Sequence, residues 1–263
     1  MKKVLTLALV LLISFGLKAQ EKGKSTYLLY EFMHVDGTNS VDYWQVEDFW
    51  SGIHKQRVAD QSILGWDLWT LTPGGTEQGS QYLTVTLFSS LENMLKAING
   101  MDVMAYAKKA YPKKTDKELG AMFEKTGKAR TLANQVVLKQ VDRTTGEFTM
   151  KAGRTVATIC IMKQLEDNYE KAESDIFKPW HQEKVSQGKK GSWELLRAIL
   201  PAGSGVEGTH FTIEMYNDVT QLASYMESSI GDMDTKTSLA VKAGLKTRDR
   251  KELKMMTLQL MVR

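Results

Sequence analysis

Two histidines stand at a fixed offset. His54 and His181 lie 127 residues apart, each four residues after a bulky aromatic, Trp50 and Phe177. On a helix that spacing sets the imidazole one turn along the apolar stripe. An imidazole there can act as a base near neutral pH or bind a ligand; equally, it can pack and be satisfied by a backbone group. Two carboxylates repeat at the same offset, Asp67 directly after Trp66 and Glu194 directly after Trp193. On a strand each faces away from its tryptophan. With the tryptophans packed as core residues under helices, the acids point inward, where a carboxylate orients a substrate or takes a proton. An acid at an exposed strand end is the alternative.

The strands that return from each hairpin alternate strictly. Tyr82, Thr84 and Thr86 oppose Leu83, Val85 and Leu87; His210, Thr212 and Glu214 oppose Phe211, Ile213 and Met215. If the aliphatic faces pack on helices, the polar faces line an interior pocket; on an open sheet they meet solvent. The second copy is richer in titratable groups. The expected pocket therefore centres on His181, Glu194, His210 and Glu214, with His54, Asp67, Tyr82 and Thr84 as first-copy counterparts. Lys128 with Arg130, and Lys246 with Arg248, precede the last strand of each copy. They suggest an anion site or salt bridges closing the helix-to-strand corner. No phosphate-binding glycine loop, HExxH or metal-spaced Cys/His pair occurs. Gly203-Ser204-Gly205 sits in a hairpin, the wrong context for a nucleophile elbow. No metal is indicated.

The elements that position these residues come twice, and self-similarity at a fixed period decides architecture first. The first copy reads as a strand from Tyr27 to Val35, a helix from Val41 to about Ala59 capped by Ser40, and a strand from Trp66 to Leu71. A loop at Pro73, Gly74, Gly75 and Gly79 leads to a strand from Gln81 to Phe88. Helix follows from about Ser90 to Ala110. Thr115 and Glu118 form a capping box for a further helix, and Val136 to Val141 is the last strand. The second copy gives Thr155 to Met162, a helix from Tyr169 to Gln187 that Pro179 should kink, and a hairpin of Trp193 to Leu200 with Thr209 to Tyr216. Helix from Thr220 to about Gly244 and a strand from Lys254 to Val262 complete it. The first copy carries about ten extra residues, expected around Pro112 to Gly120.

The fold class is α+β: two ferredoxin-like βαββαβ repeats packed sheet to sheet as an intramolecular α+β barrel. The first strands are apolar on both sides, as a sheet covered twice requires. The boundaries are 1–19 for a leader, 20–142 for the first repeat, 143–153 for a linker and 154–263 for the second repeat. In this order of elements the chain resembles the dimeric α+β barrel superfamily in fused, tandem form. The resemblance implies a fold and only a range of activities. It includes cofactor-independent monooxygenases and haem-using enzymes, which need a shaped pocket with a base or one axial histidine. No cofactor is called for, with haem as the one the resemblance allows.

Lys2, Lys3 and the apolar run Val4 to Leu17, followed by Leu17-Lys18-Ala19, read as a secretion signal with Gln20 as the new N-terminus. The formal charge of +4 falls to +1 without the three leader lysines. That removes the charge argument for nucleic acid or an anionic membrane. No second apolar stretch spans a bilayer, so no membrane contact is expected after cleavage. The single cysteine, Cys160, has no disulfide partner and reads as a small buried hydrophobe. The expected protein is exported, periplasmic or secreted, and binds a small apolar or aromatic ligand in a barrel pocket; an enzyme of the monooxygenase or haem-using type is the alternative. The oligomeric state is left open.

Overall fold

The computed structural model describes residues 25–37, 40–74, 79–228, 231 and 233–263. The expected leader, Thr38, Asn39 and Gly75 lie outside them. The first-half strands are β1 (Tyr27–His34), β2 (Gly65–Thr72), β3 (Tyr82–Phe88) and β4 (Thr131–Arg143). The second-half strands are β5 (Val156–Gln164), β6 (Ser192–Leu200), β7 (His210–Tyr216) and β8 (Arg248–Val262). All pair antiparallel in one closed barrel, ordered β1-β3-β2-β8-β5-β7-β6-β4. Each half thus contributes four adjacent strands, β4-β1-β3-β2 and β8-β5-β7-β6. They meet through the pairs β2–β8 and β4–β6. Closure removes every free edge. Strands β4 and β8, of 13 and 15 residues, are longer than their apolar cores suggested.

The inner faces share one core. Tyr30, Trp69 and Leu83 of the first half pack with Ile159, Phe211 and Ile213 of the second. Tyr30 and Phe211 meet edge to face at 5.9 Å. The outer faces are covered by helices. Helix α1 (Ser40–Ala59) carries Asp42 in its first turn and Arg57 in its last, which suits the helix dipole. Its Tyr43 packs on Leu29, Trp66 and Leu68 of the sheet. Its Phe49 and Ile53 pack on Ala107 and Leu119. These two belong to α3 (Val103–Ala110) and α4 (Asp116–Ala129), which follow α2 (Leu91–Gly100). The expected single helix from Ser90 to Ala110 is therefore broken. Asn99-Gly100 is a poor helix continuation, and Asp102 caps α3 by accepting from the Ala105 amide. The capping box of Thr115 and Glu118 is present.

In the second half, α5 (Tyr169–Ala172) runs through a π-turn, Glu173–Phe177, into α6 (Lys178–Ser186). The π-turn marks a one-residue change of register. Tyr43 and Tyr169, and Glu47 and Glu173, are 126 apart, whereas His54 and His181 are 127 apart. A widened turn is how a helix absorbs one extra residue without breaking. The irregularity expected at Pro179 thus falls one turn earlier, and Pro179 sits in the first turn of α6. The stretch from Thr220 to Gly244 is two helices, α7 (Val219–Glu227) and α8 (Thr235–Lys246), the latter capped by Asp234. Among the described residues three helices lie between β3 and β4 and two between β7 and β8, so the first half is longer by a whole helix and not only by the Pro112 to Gly120 segment expected. Cys160 is buried beside Trp193 and Leu195, and burial pushes its thiol pKa up. Among the described residues no helix is long and apolar enough to cross a membrane.

The shared core gives a first prediction. Residues 20–145 expressed alone would expose the apolar inner face and two unpaired edges, β2 and β4. This fragment should dimerise or aggregate, read by light scattering; a stable soluble monomer would contradict the packing.

Candidate functional site

Strand register decides which side chains meet. Trp66 is opposite Thr86 and Leu68 opposite Thr84, while Asp67 is opposite Val85 and Trp69 opposite Leu83. Directly opposed residues share a face. Asp67 and Glu194 therefore point into the barrel, and Trp66 and Trp193 lie under helices. The return strands are the other way round from expectation. Leu83, Val85, Phe211 and Ile213 fill the barrel, while Thr84, Thr86, His210, Thr212 and Glu214 face the helix layer. The inner face is mostly apolar, and polar groups gain more beneath helices that carry charged partners.

A cavity of about 280 Å³ opens inside the barrel, walled by Tyr30, Trp69, Val85, Ile213 and Met215. Its two acids are already engaged. Asp67 takes two hydrogen bonds from Arg263, at 2.8 and 2.9 Å, and Glu194 accepts from Gln140 Nε2 at 2.8 Å. Burial pushes both carboxyl pKa values up, against the pull of Arg263 and Gln140 respectively.

A second cavity, of about 230 Å³, lies between α1 and the outer face of the first-half sheet. Trp50, Trp66, Phe88, Ala97 and Ile98 supply apolar walls, and Glu31, Glu47, His54, Arg57 and Arg130 supply charge and hydrogen bonds. His54 lies flat on Trp66 with ring centroids 4.7 Å apart. Its Nδ1 is 3.1 Å from Arg57 Nη1. A guanidinium has only donors, so Nδ1 accepts and Nε2 carries the proton. Burial first, then Arg57, holds the imidazole neutral, with its pKa well below the usual histidine range. Arg57 is 5% exposed, its Nε meets no acceptor, and among the described residues it makes no ion pair. Glu47 is 1% exposed and sits 3.2 Å from Arg130 Nε in a geometry that makes no hydrogen bond. Burial pushes its carboxyl up to about 7, despite Arg130. Glu31 accepts from Thr84 and Gln135. One wall thus gathers a proton acceptor titrating near neutrality, a neutral imidazole N–H and a buried cation that no carboxylate touches.

The equivalent layer of the second half pairs its buried cation with a carboxylate. His181 lies flat on Trp193 at 5.0 Å, and its Nδ1 accepts from Lys190 Nζ at 2.8 Å. Burial and then Lys190 take the His181 pKa down to about 3. Lys190 is 2% exposed and also donates to Glu214 at 2.5 Å and Tyr225 at 3.2 Å. Its ammonium lies 4.4 Å from the Tyr225 ring centroid. Glu214 accepts further from Tyr216 at 2.7 Å. His210 is spent on Glu170 and Thr209, at 2.9 and 3.1 Å. Of the group expected in the second copy, His181 and Glu214 meet through Lys190. Glu194 lies on the other side of the sheet, and His210 belongs to a separate pair. Tyr82 packs on Tyr43 at 4.3 Å, at the start of α1.

The four residues proposed for anions divide by type. Arg130 and Arg248 turn inward to Glu47 and Glu173, while Lys128 and Lys246 are exposed. The arginines join the last strand of each half to the helix layer through these ion pairs. Among the described residues no group of three or more His, Cys, Asp or Glu could hold a metal. A haem axial ligand needs a ring lone pair. Those of His54 and His181 are taken by cations, and both ring nitrogens of His210 are engaged, so these residues do not fit that role. Glu31, Glu47, Arg57 and Lys190 carry the arrangement, and the sequence patterns did not single them out. The Tyr43/Tyr169 and Glu47/Glu173 correspondence was the available signal, hidden by the one-residue change of offset.

The Glu47 shift has a sign. A carboxyl raised from near 4.5 to about 7 takes up a proton on folding. Its contribution to stability is fully present below about 4.5 and is lost as pH rises to about 7. Relative to wild type, Glu47→Gln should therefore gain about 3 kcal/mol between pH 4.5 and 7. Denaturant melts across that range check this; a flat difference would show an ordinary carboxylate.

No protein-family model matches the chain, and no curated protein matches it in sequence. Solved structures do match. A candidate monooxygenase of Lactobacillus acidophilus superposes with TM-score 0.56 at 10% identity, covering 91% of this chain and 96% of that one. A candidate monooxygenase of Fusobacterium nucleatum gives 0.56 at 10% identity, covering 92% and 95%. An anthrone oxidase-like protein gives 0.54 at 14% identity, covering 91% and 93%. The chain shares its fold with these three structures.

Proposed function

We propose that this is an exported protein that binds a small, largely apolar molecule in the cavity between α1 and the first-half sheet. The observation that carries the reading is convergence: His54, Arg57, Glu47 and Arg130 meet at one wall of a cavity whose other walls are Trp50, Trp66 and Phe88. Apolar walls with a few placed polar groups are the usual build of a small-molecule site. This moves the site from the second copy to the first. In the second copy the buried cations Lys190 and Arg248 each touch a carboxylate, which Arg57 does not. Export rests on the leader at residues 1–19 and on Gln20 as the mature start. The two halves are read as copies of one ferredoxin-like unit, supported by the shared strand order and the paired His, Trp, Glu and Tyr positions.

An oxygenase without a cofactor is the second reading. It is favoured by Glu47, which titrates near neutrality and whose Oε1 accepts no hydrogen bond, and by the likeness to candidate monooxygenases. Glu47 would take a proton from an acidic C–H or O–H of the bound molecule, and the resulting anion would react with dioxygen. The first test is a titration of intrinsic fluorescence with 1-naphthol as probe. The wild type should show saturable quenching of Trp50 and Trp66. Ala97→Trp, which fills the cavity, should weaken it at least tenfold with the thermal midpoint unchanged. Equal binding by that variant would place the ligand elsewhere. Oxygen uptake with a phenolic substrate, lost in Glu47→Gln while binding persists, would decide for the enzyme.

A further inference from the structure

The two halves build the same histidine–cation pair and then differ at one position. His54 and His181 each lie against a tryptophan, and each accepts at Nδ1 from a buried cation, Arg57 or Lys190. In the second half the cation meets a carboxylate on the neighbouring strand, Glu214, which stands opposite Trp193. The same place in the first half, opposite Trp66, is held by Thr86. Glu214 is two residues before Tyr216, as Thr86 is two before Phe88. Replacing a glutamate by a threonine at this place removes a carboxylate and the room it fills. What remains there is the cavity, with Thr86 and Arg57 both on its wall.

Arg57 bears the consequence. It is buried, its Nη1 is given to a neutral imidazole, and its Nε has no acceptor. The other charges in the cavity do not fill the gap. Glu47 is paired with Arg130, while Glu31 and Asp60 attract Arg57 only from a distance and accept no hydrogen bond from it. A buried guanidinium left without a counter-ion is costly unless something else supplies one. His54 adds a second donor, since its proton is on Nε2. We infer that the ligand brings the missing carboxylate: the first-half cavity takes a small aromatic acid, whose carboxylate sits where Glu214 sits in the second half and whose ring packs among Trp50, Trp66 and Phe88. A planar carboxylate matches the fork of an arginine.

The inference rests on the reading of this cavity as the ligand site, and its test separates the two. The mature full-length protein is titrated calorimetrically with benzoate, benzamide and benzylamine. Benzoate should bind at least tenfold more tightly than the other two. Thr86→Glu supplies an internal carboxylate and should cut benzoate affinity at least tenfold while raising the thermal midpoint. Arg57→Met, which keeps the apolar walls, should bring benzoate down to the level of benzamide and serves if Thr86→Glu fails to fold. Benzamide binding as tightly as benzoate would overturn the acid while leaving an aromatic site standing. Benzoate binding undiminished in both variants would overturn the placement. No binding by any of the three probes would overturn the inference and the ligand site together.

Discussion

Replacing Glu214 with glutamine should destabilise the protein by about 3–5 kcal/mol, and Lys190→Met should do the same. Each removes one partner of a nearly buried ion pair and leaves the other without compensation. Lys190 is 2% exposed and packed among Trp180, Tyr216 and Tyr225, so water cannot replace the lost carboxylate. Burial already pulls the lysine pKa down, against the support of Glu214. The double variant Lys190→Met/Glu214→Gln should recover much of the loss, because a neutral layer of similar volume carries no desolvation cost. Urea melts of the three variants check this. Additive losses would mean that the pair is not coupled and that the second half is not closed by its own charges.

The tryptophans should carry the other large effect. Trp66 and Trp193 are 2% and 1% exposed, with Leu68 and Leu195 fully buried on the same faces. Truncation of either to alanine should cost about 3–5 kcal/mol, since the rigid sheet beneath cannot collapse into the space. Trp66 also forms one wall of the first-half cavity, so Trp66→Ala should weaken ligand binding as well as stability, whereas Trp193→Ala should touch stability alone. A loss below about 1 kcal/mol in denaturant melts would place these residues at the periphery.

Much of this architecture was legible in the residues. The repeated Trp-acid-Leu strand put Trp66 and Trp193 on one face and Asp67 and Glu194 on the other, because a two-residue period leaves no third choice. Thr115 and Glu118 announced their helix. The face of the return strands was not legible. Both faces of β3 and β7 are buried, so alternation shows that the faces differ and does not say which one meets the helices. Pairing register settles it, and register belongs to the folded sheet. The site was hidden for a different reason. Arg57 follows its histidine by three residues on one helix, whereas Lys190 follows by nine across a loop. Two cations reach the same ring nitrogen from different chain positions, which no fixed offset reveals. The inserted residue at the π-turn then masked the correspondence of Glu47 with Glu173.

The central claim is a location, and a crystal structure of the mature protein grown with benzoate tests it most directly. The account predicts the ring between Trp50 and Trp66, with the carboxylate within hydrogen-bond distance of Arg57. A ligand found inside the barrel beside Tyr30 and Glu194, with the first-half cavity unchanged, would contradict it.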